Sequence, residues 1–232
     1  IIGTFNLLEA IKKNNNNRLK KLIHISTDEV YGSSTKKFCD EISILNPSSP
    51  YSSTKASAEL LCLAYNKTFN IPVVVVNPSN NYGPFQFPEK LIPLTIMKCF
   101  MKEKIGIYGN GKNQRDWLYV EDTVNALHLI MNKGRIGQKY NISCQNLISN
   151  NEVVETITKY FSKKNNFNYE QLIEYVTDRP AHDFSYKVNS EKLRNIGWKH
   201  KTNFKQGIVK TSEWYIKNIN SIKQINSKIY TG

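Results

Sequence analysis

Six residues, Ile71-Pro72-Val73-Val74-Val75-Val76, constrain the fold of this 232-residue chain more than any other stretch. An apolar run rich in β-branched residues, with no polar alternation, suits a strand buried on both faces, and such strands belong to parallel sheets covered by helices. Before it, Tyr51 to Phe69 carries Ala58, Leu61, Leu63 and Tyr65 on a helical period and stops at Asn70. Earlier still, Leu22-Ile23-His24-Ile25 reads as a second buried parallel strand. Strand, helix and strand in one sheet require a right-handed crossover, so the chain is predicted to be α/β.

The same reading extends to both sides. Ile2 to Lys13 spaces Phe5, Leu8 and Ile11 as an amphipathic helix does, and Asn14 to Asn17 with Arg18, Lys20 and Lys21 reads as a solvated turn. Pro78, Gly83, Pro84 and Pro88 predict an irregular loop from Asn77 to Pro88. Pro93 to Lys102 then reads as a helix, Ile105 to Tyr108 and Trp117 to Val120 as short strands, and Glu121 to Met131 as a helix. Lys139 to Ile142 is one more strand, and Asn150 to Ser162 a helix with Val153, Val154, Ile157 and Phe161 inward. From Tyr169 on, short elements joined by long polar stretches, with a last helix from Phe204 to Lys217, predict a small α+β lobe.

Charge and cysteine usage exclude several classes. A formal charge of +13 attracts phosphates in general, but the lysines are scattered among many Asn with no basic stripe interleaved with aromatics. No nucleic-acid partner is expected. Cys39, Cys62, Cys99 and Cys144 lie far apart, which signals neither zinc nor a disulfide framework, so no metal is expected and a reducing cytoplasmic setting fits. The longest apolar run is too short for a bilayer and no leader pattern opens the chain, so no membrane partner is expected. Ile1 is read as something other than a native start, because it is not Met.

The candidate chemistry follows the first strand, at Ser26-Thr27-Asp28-Glu29-Val30-Tyr31-Gly32, where open α/β sheets hold ligands. Adjacent carboxyls on extended backbone would point in opposite directions and serve different proton-transfer roles. In Tyr51-Ser52-Ser53-Thr54-Lys55, the i, i+4 spacing puts a phenol and an ammonium on one helix face, where the cation would lower the Tyr51 pKa. Asp116, next to Arg115, reads as half of a structural salt bridge, while His24, His128 and His200 read as packing residues. Trp117, Trp198 and Trp214 read as core. No G-x-G-x-x-G or G-x-x-G-x-x-G occurs, and the chain begins at a helix.

Taken in order, Ser26 to Gly32, Tyr51 to Lys55, Asn80 to Pro84 with Pro88 to Pro93, Arg115 to Asp122, and Asp178 to Asp183 resemble an extended short-chain dehydrogenase/reductase. Within that superfamily the chain is similar to the nucleoside-diphosphate-glucose 4,6-dehydratases, over essentially its whole length. The resemblance implies a Rossmann-like doubly wound parallel sheet whose N-terminal strands are absent from this chain, with a small C-terminal α+β substrate lobe. It divides the chain into 1–85, the C-terminal part of an NAD-binding domain with the catalytic residues, and 86–232, mainly a nucleotide-sugar lobe interleaved with a returning Rossmann element near 117–142.

The implied reaction dehydrates an NDP-glucose to its 4-keto-6-deoxy form by transient oxidation with NAD. Thr27, Asp28, Glu29, Tyr51 and Lys55 would be catalytic: Tyr51 for the 4-hydroxyl proton, Glu29 for the carbon 5 proton and Asp28 for the leaving 6-hydroxyl. Thr27 would bond the 4-hydroxyl. Ser26, Tyr51, Lys55 and Asn81 would face the cofactor, with Lys55 on the nicotinamide ribose. Thr27, Asn80, Lys90, Leu91, Tyr108, Arg115, Asn150, Arg179 and His182 would line the substrate site, and the two arginines suit a diphosphate. Ala181 and Pro78 depart from the bacterial pattern. The resemblance also implies a homodimer for the full-length protein, through the helix containing Tyr51 and the one after Pro88, and leaves dTDP and UDP open. A 4-epimerase, or an inactive nucleotide-sugar-binding fragment lacking the Gly-rich turn, are the alternatives, with a decarboxylase behind them.

Overall fold

The computed structural model describes residues 1–14, 18–33, 37–178 and 183–222. In chain order come α1 (Ile2–Lys13), β1 (Leu22–Ile25), a one-turn 3₁₀ helix (Asp28–Tyr31), α2 (Pro50–Phe69), β2 (Val73–Pro78) and β3 (Asn80–Tyr82). They are followed by α3 (Leu91–Met101), β4 (Ile105–Tyr108), β5 (Gln114–Tyr119), α4 (Val120–Lys133), β6 (Lys139–Ile142) and β7 (Leu147–Ser149). The last are α5 (Asn150–Asn165), a second 3₁₀ turn (Tyr169–Leu172), β8 (Ile173–Val176), α6 (Glu191–Asn195) and α7 (Phe204–Lys217).

The four valines Val73 to Val76 have no solvent exposure. Val73 and Val75 pack with Leu8, Cys62 and Tyr65 of α1 and α2, whereas Val74 and Val76 pack with Ala126 and Ile130 of α4 and with Trp198. Each contributes about 2 kcal/mol by leaving water. Helices on both faces of a parallel sheet are the doubly wound α/β arrangement expected, and the sheet order is β1-β2-β6. Its register pairs Leu22 with Val73, Ile25 with Val76, and Val75 with Lys139, all in parallel.

Several local expectations need correction. β1 is not a buried strand: among the described residues it pairs only with β2, and Ile25 is 50% exposed. The Asn77–Pro88 stretch is not all loop. β2 runs through Pro78, where a strand end tolerates a missing N–H, and Asn80 to Tyr82 pair with Trp117 to Tyr119 of β5. α3 starts at Leu91, so Pro93 occupies the third helical position, whose N–H has no intrahelical partner. Lys21 is not merely solvated, because its ammonium donates to the carbonyls of Ile130, Met131 and Gly134 at the C-terminus of α4.

The remaining strands form smaller assemblies, with β5 between β3 and antiparallel β7, and β4 parallel to β8. Tyr82, Trp117, Ile157, Phe161, Ile208 and Tyr215 belong to the second large core, shared by α3, α5 and α7. Trp198 is buried within the first core and Trp214 packs against the second.

Candidate active site

The carboxyl pair sits on the 3₁₀ helix that follows β1. Its backbone is not extended as expected; one residue of a 3₁₀ helix turns by a third of a circle, and that rotation sends Asp28 and Glu29 to different surroundings. Thr27 caps this turn, its hydroxyl accepting the Glu29 N–H at 3.3 Å and lying 3.3 Å from Asp28 Oδ1 as donor. At the far end Gly32 has φ +76°, and a Cβ there would meet the Asn46 carbonyl oxygen at 2.2 Å. The sharp exit of the turn therefore requires glycine.

Asp28 is 2% exposed and Glu29 is half-buried. Burial pushes the Asp28 pKa up to about 8, aided by the neighbouring charges of Glu29 and Asp116 and opposed by the Thr27 hydrogen bond and Arg115. Asp28 Oδ2 has no hydrogen-bond partner among the described residues. The buried oxygens of Ser79, just after β2, and of Asn80, which opens β3, share that condition, as do buried polar atoms farther off such as those of Asn151 and Ser212.

Tyr51 lies in the first turn of α2, positioned by the Ser49–Ser52 capping box and Pro50, and is 54% exposed. Partial burial and the charges of Glu29 and Asp28 raise its pKa, against a hydrogen bond with Thr27. This differs from the expected lowering by Lys55. The Lys55 ammonium donates to the Ile25 carbonyl at 2.7 Å, so the charges that reach the phenol are mainly carboxylates.

The other candidates occupy distinct places. Ser26 is buried and its hydroxyl donates to Glu59 at 2.7 Å. Asn81 donates to the Ser79 carbonyl at 2.9 Å and accepts from the Thr123 hydroxyl. Arg115 donates to the carbonyls of Gln114, Phe184 and Asp183 at 2.7, 3.1 and 2.9 Å, with its guanidinium 4.7 Å from the Tyr186 ring centre. Asp116 makes no salt bridge with it. Its carboxylate instead accepts from Ser143 at 2.5 Å and from the Asn146 N–H at 3.1 Å, fixing the β6–β7 loop.

Lys90 precedes α3 and pairs with Glu89 at 3.0 Å on the surface, while Leu91 packs against the second core. Tyr108 ends β4 at 46% exposure, and Asn150 opens α5 with its N–H on the Asn113 carbonyl. Arg179 and His182 lie outside the described residues, as does Ala181. The structure thus brings Thr27, Glu29 and Arg115 within electrostatic reach of Asp28, and Thr27, Asp28 and Glu29 within reach of Tyr51.

Two buried groups beside this cluster had no functional reading from the sequence. Glu59 continues the Tyr51–Lys55 spacing by four more residues and could have been found by extending that helix face. Tyr186 donates to Asp183 at 2.6 Å and gave no motif signal. A cleft of about 530 Å³ between α4 and α7, lined in part by Glu121, Asp122 and Lys210, contains none of these groups. Among the described residues no cluster of three metal-ligating side chains occurs, and no helix is long and apolar enough to cross a membrane.

Residues 1–211 match the family model described as GDP-mannose 4,6 dehydratase. The chain is 43% identical over 240 residues to a protein of Sinorhizobium fredii (strain NBRC 101917 / NGR234) named "Probable dTDP-glucose 4,6-dehydratase", covering 99% of this chain and 69% of that protein. The crystal structure of dTDP-glucose 4,6-dehydratase from Bacillus anthracis str. Ames in complex with NAD superposes with a TM-score of 0.85 at 46% identity, over 94% of this chain and 68% of that one. UDP-glucuronic acid 4-epimerase from Bacillus cereus, in complex with UDP-glucuronic acid and NAD, gives 0.83 at 27% identity, over 97% and 67%.

Proposed function

The chain belongs to the GDP-mannose 4,6-dehydratase family, and from that premise we propose that it is an NAD-dependent lyase converting an NDP-glucose to the NDP-4-keto-6-deoxy sugar. The observation that carries this reading is the pair of unlike carboxyls, Asp28 buried and Glu29 half-buried, acting on the electrostatics of Tyr51. An elimination needs an acid and a base in different environments.

Tyr51 and Lys55 on one face of α2, with Ser26 and Asn81 at the strand ends, fit the nicotinamide-ribose end of a dinucleotide. The unsatisfied oxygens of Ser79 and Asn80 support a polar ligand there. NAD held by these residues would supply a two-electron oxidant for carbon 4 and would return the hydride so gained to carbon 6. Tyr51, whose pKa burial and the two carboxyls raise, would take the 4-hydroxyl proton only with the positive charge of the bound cofactor beside it to favour the phenolate, while Thr27 orients that hydroxyl. The ketone makes the carbon 5 hydrogen acidic, Glu29 removes it, and Glu29 gives a proton back to carbon 5 when hydride is returned to carbon 6. Asp28, with its pKa pushed up to about 8, holds a proton at neutral pH and gives it to the departing 6-hydroxyl.

Asn80, Lys90, Leu91, Tyr108, Arg115, Asn150, Arg179 and His182 form the nucleoside-diphosphate side of this reading, with residues 1–85 carrying cofactor and catalysis and 86–232 mainly the sugar nucleotide. The names of the relatives above 40% identity favour dTDP-glucose. We assign a homodimer through α2 and α3, which present Leu60, Phe69, Leu94 and Phe100 to solvent, and a cytoplasmic setting in which the four free thiols stay reduced. Nucleic acid and membrane have no role in it.

The epimerase alternative makes no use of Asp28 as an acid. Incubation of the full-length protein with NAD and either dTDP-glucose or UDP-glucose separates the readings: the dehydratase product has lost one water, while an epimer keeps the substrate mass.

A further inference from the structure

Beneath the acid–base turn lies a buried charge that the mechanism above does not use. Glu59 has no solvent exposure. Its Oε2 accepts from the Ser26 hydroxyl at 2.7 Å and from the Asn77 amide at 2.8 Å, while Oε1 lies 2.7 Å from the ammonium of Lys139, itself 10% exposed. Ser26 follows β1 and Asn77 lies near the C-terminal end of β2, while Lys139 opens β6, so one carboxylate from α2 reaches all three parallel strands. The same Asn77 amide donates to the Thr27 carbonyl at 3.1 Å. An unbroken chain of contacts runs from Glu59 through Ser26 and Asn77 to Thr27, the residue that caps the Asp28–Tyr31 turn.

A buried ion pair is a poor stabiliser, since desolvating two charges offsets their attraction and an apolar pair of similar volume is often as stable. Its position explains it better than stability does. Tyr51, Lys55 and Glu59 are spaced by four along α2, so the face that presents the phenol also grips the strand ends that carry Asp28 and Glu29. We infer that Glu59 is a positioning residue for the elimination half of the reaction, holding the acid–base turn in register with Tyr51 through its hydrogen bonds to Ser26 and Asn77. This rests on the dehydratase reading. A displacement of the turn on the order of 1 Å would cost about 10²-fold in the step that uses it.

The test compares E59Q and E59L, each combined with K139M in the full-length enzyme, so that neither variant buries an unpaired charge and only the first keeps an oxygen acceptor. Single-turnover absorbance of the reduced nicotinamide reads oxidation at carbon 4, and water loss by mass spectrometry reads elimination. E59Q/K139M should eliminate within about 3-fold of the parent. E59L/K139M should slow elimination roughly 10- to 100-fold and oxidation, which uses Thr27 on the same turn, by a clearly smaller factor, with KM little changed. The inference is overturned if E59L/K139M eliminates as fast as the parent, if both steps fall by the same factor, or if it alone fails to fold. A parent that oxidises but never loses water would instead refute the dehydratase reading itself.

Discussion

Asp28 and Glu29 are consecutive residues, yet Asp28 is 2% exposed while Glu29 is half-buried on the same 3₁₀ turn. Burial holds the Asp28 proton up to about pH 8. If Asp28 is the acid, turnover falls as pH rises through about 8, and Asp28→Asn removes that limb along with at least about 10²-fold of kcat. A pH–kcat profile of parent and variant checks both.

The same shift has a stability sign. The folded pKa lies above the unfolded value, so the folded chain keeps a proton that the unfolded chain releases, and the group costs stability progressively from about pH 4 to pH 8. Asp28→Asn should be nearly neutral at pH 4 and stabilising by ~1–4 kcal/mol at pH 8, read by denaturant midpoints at the two pH values.

Arg115 opposes the upward shift at Asp28 and also tethers the Asp183 and Phe184 carbonyls. Arg115→Met should move the alkaline limb to higher pH and raise KM, whereas Arg115→Lys keeps the charge, leaves the limb nearer its place and still raises KM, by roughly 10-fold. Lysine cannot reproduce the fork that reaches both carbonyls or its stacking on Tyr186.

Tyr51→Phe should lower kcat by about 10²- to 10⁴-fold with little change in melting temperature, because it keeps the ring and removes only the hydroxyl of a half-exposed side chain. Gly32→Ala should do the reverse kind of damage: a positive φ and the Asn46 carbonyl leave no room for Cβ, so stability falls by ~1–3 kcal/mol, measurable by thermal melting.

The parallel sheet was legible because Val73 to Val76 have no polar alternation, and only double-sided burial suits them. The location of the carboxyl pair after β1 was legible from the strand end. Its backbone was not: a single 3₁₀ turn has no periodicity to read, and it is set by Thr27 and Gly32 together. The strand Asn80–Tyr82 was hidden because its hydrogen bonds come from Trp117 to Tyr119, some forty residues on. Lys55 was read as acting on Tyr51, since helical spacing shows which residues share a face but not that the Ile25 carbonyl would take the ammonium. The spacing puts Glu59 on the Tyr51–Lys55 face, but its partners were unreadable, because Ser26, Asn77 and Lys139 come from three separate strand regions.

The central claim is an intramolecular oxidation, elimination and reduction on one sugar. The most direct test is turnover of dTDP-glucose deuterated at carbon 4 by the full-length protein with NAD. The account predicts a product that has lost one water and carries the deuterium at carbon 6. Deuterium remaining at carbon 4 of an unchanged-mass epimer would contradict it.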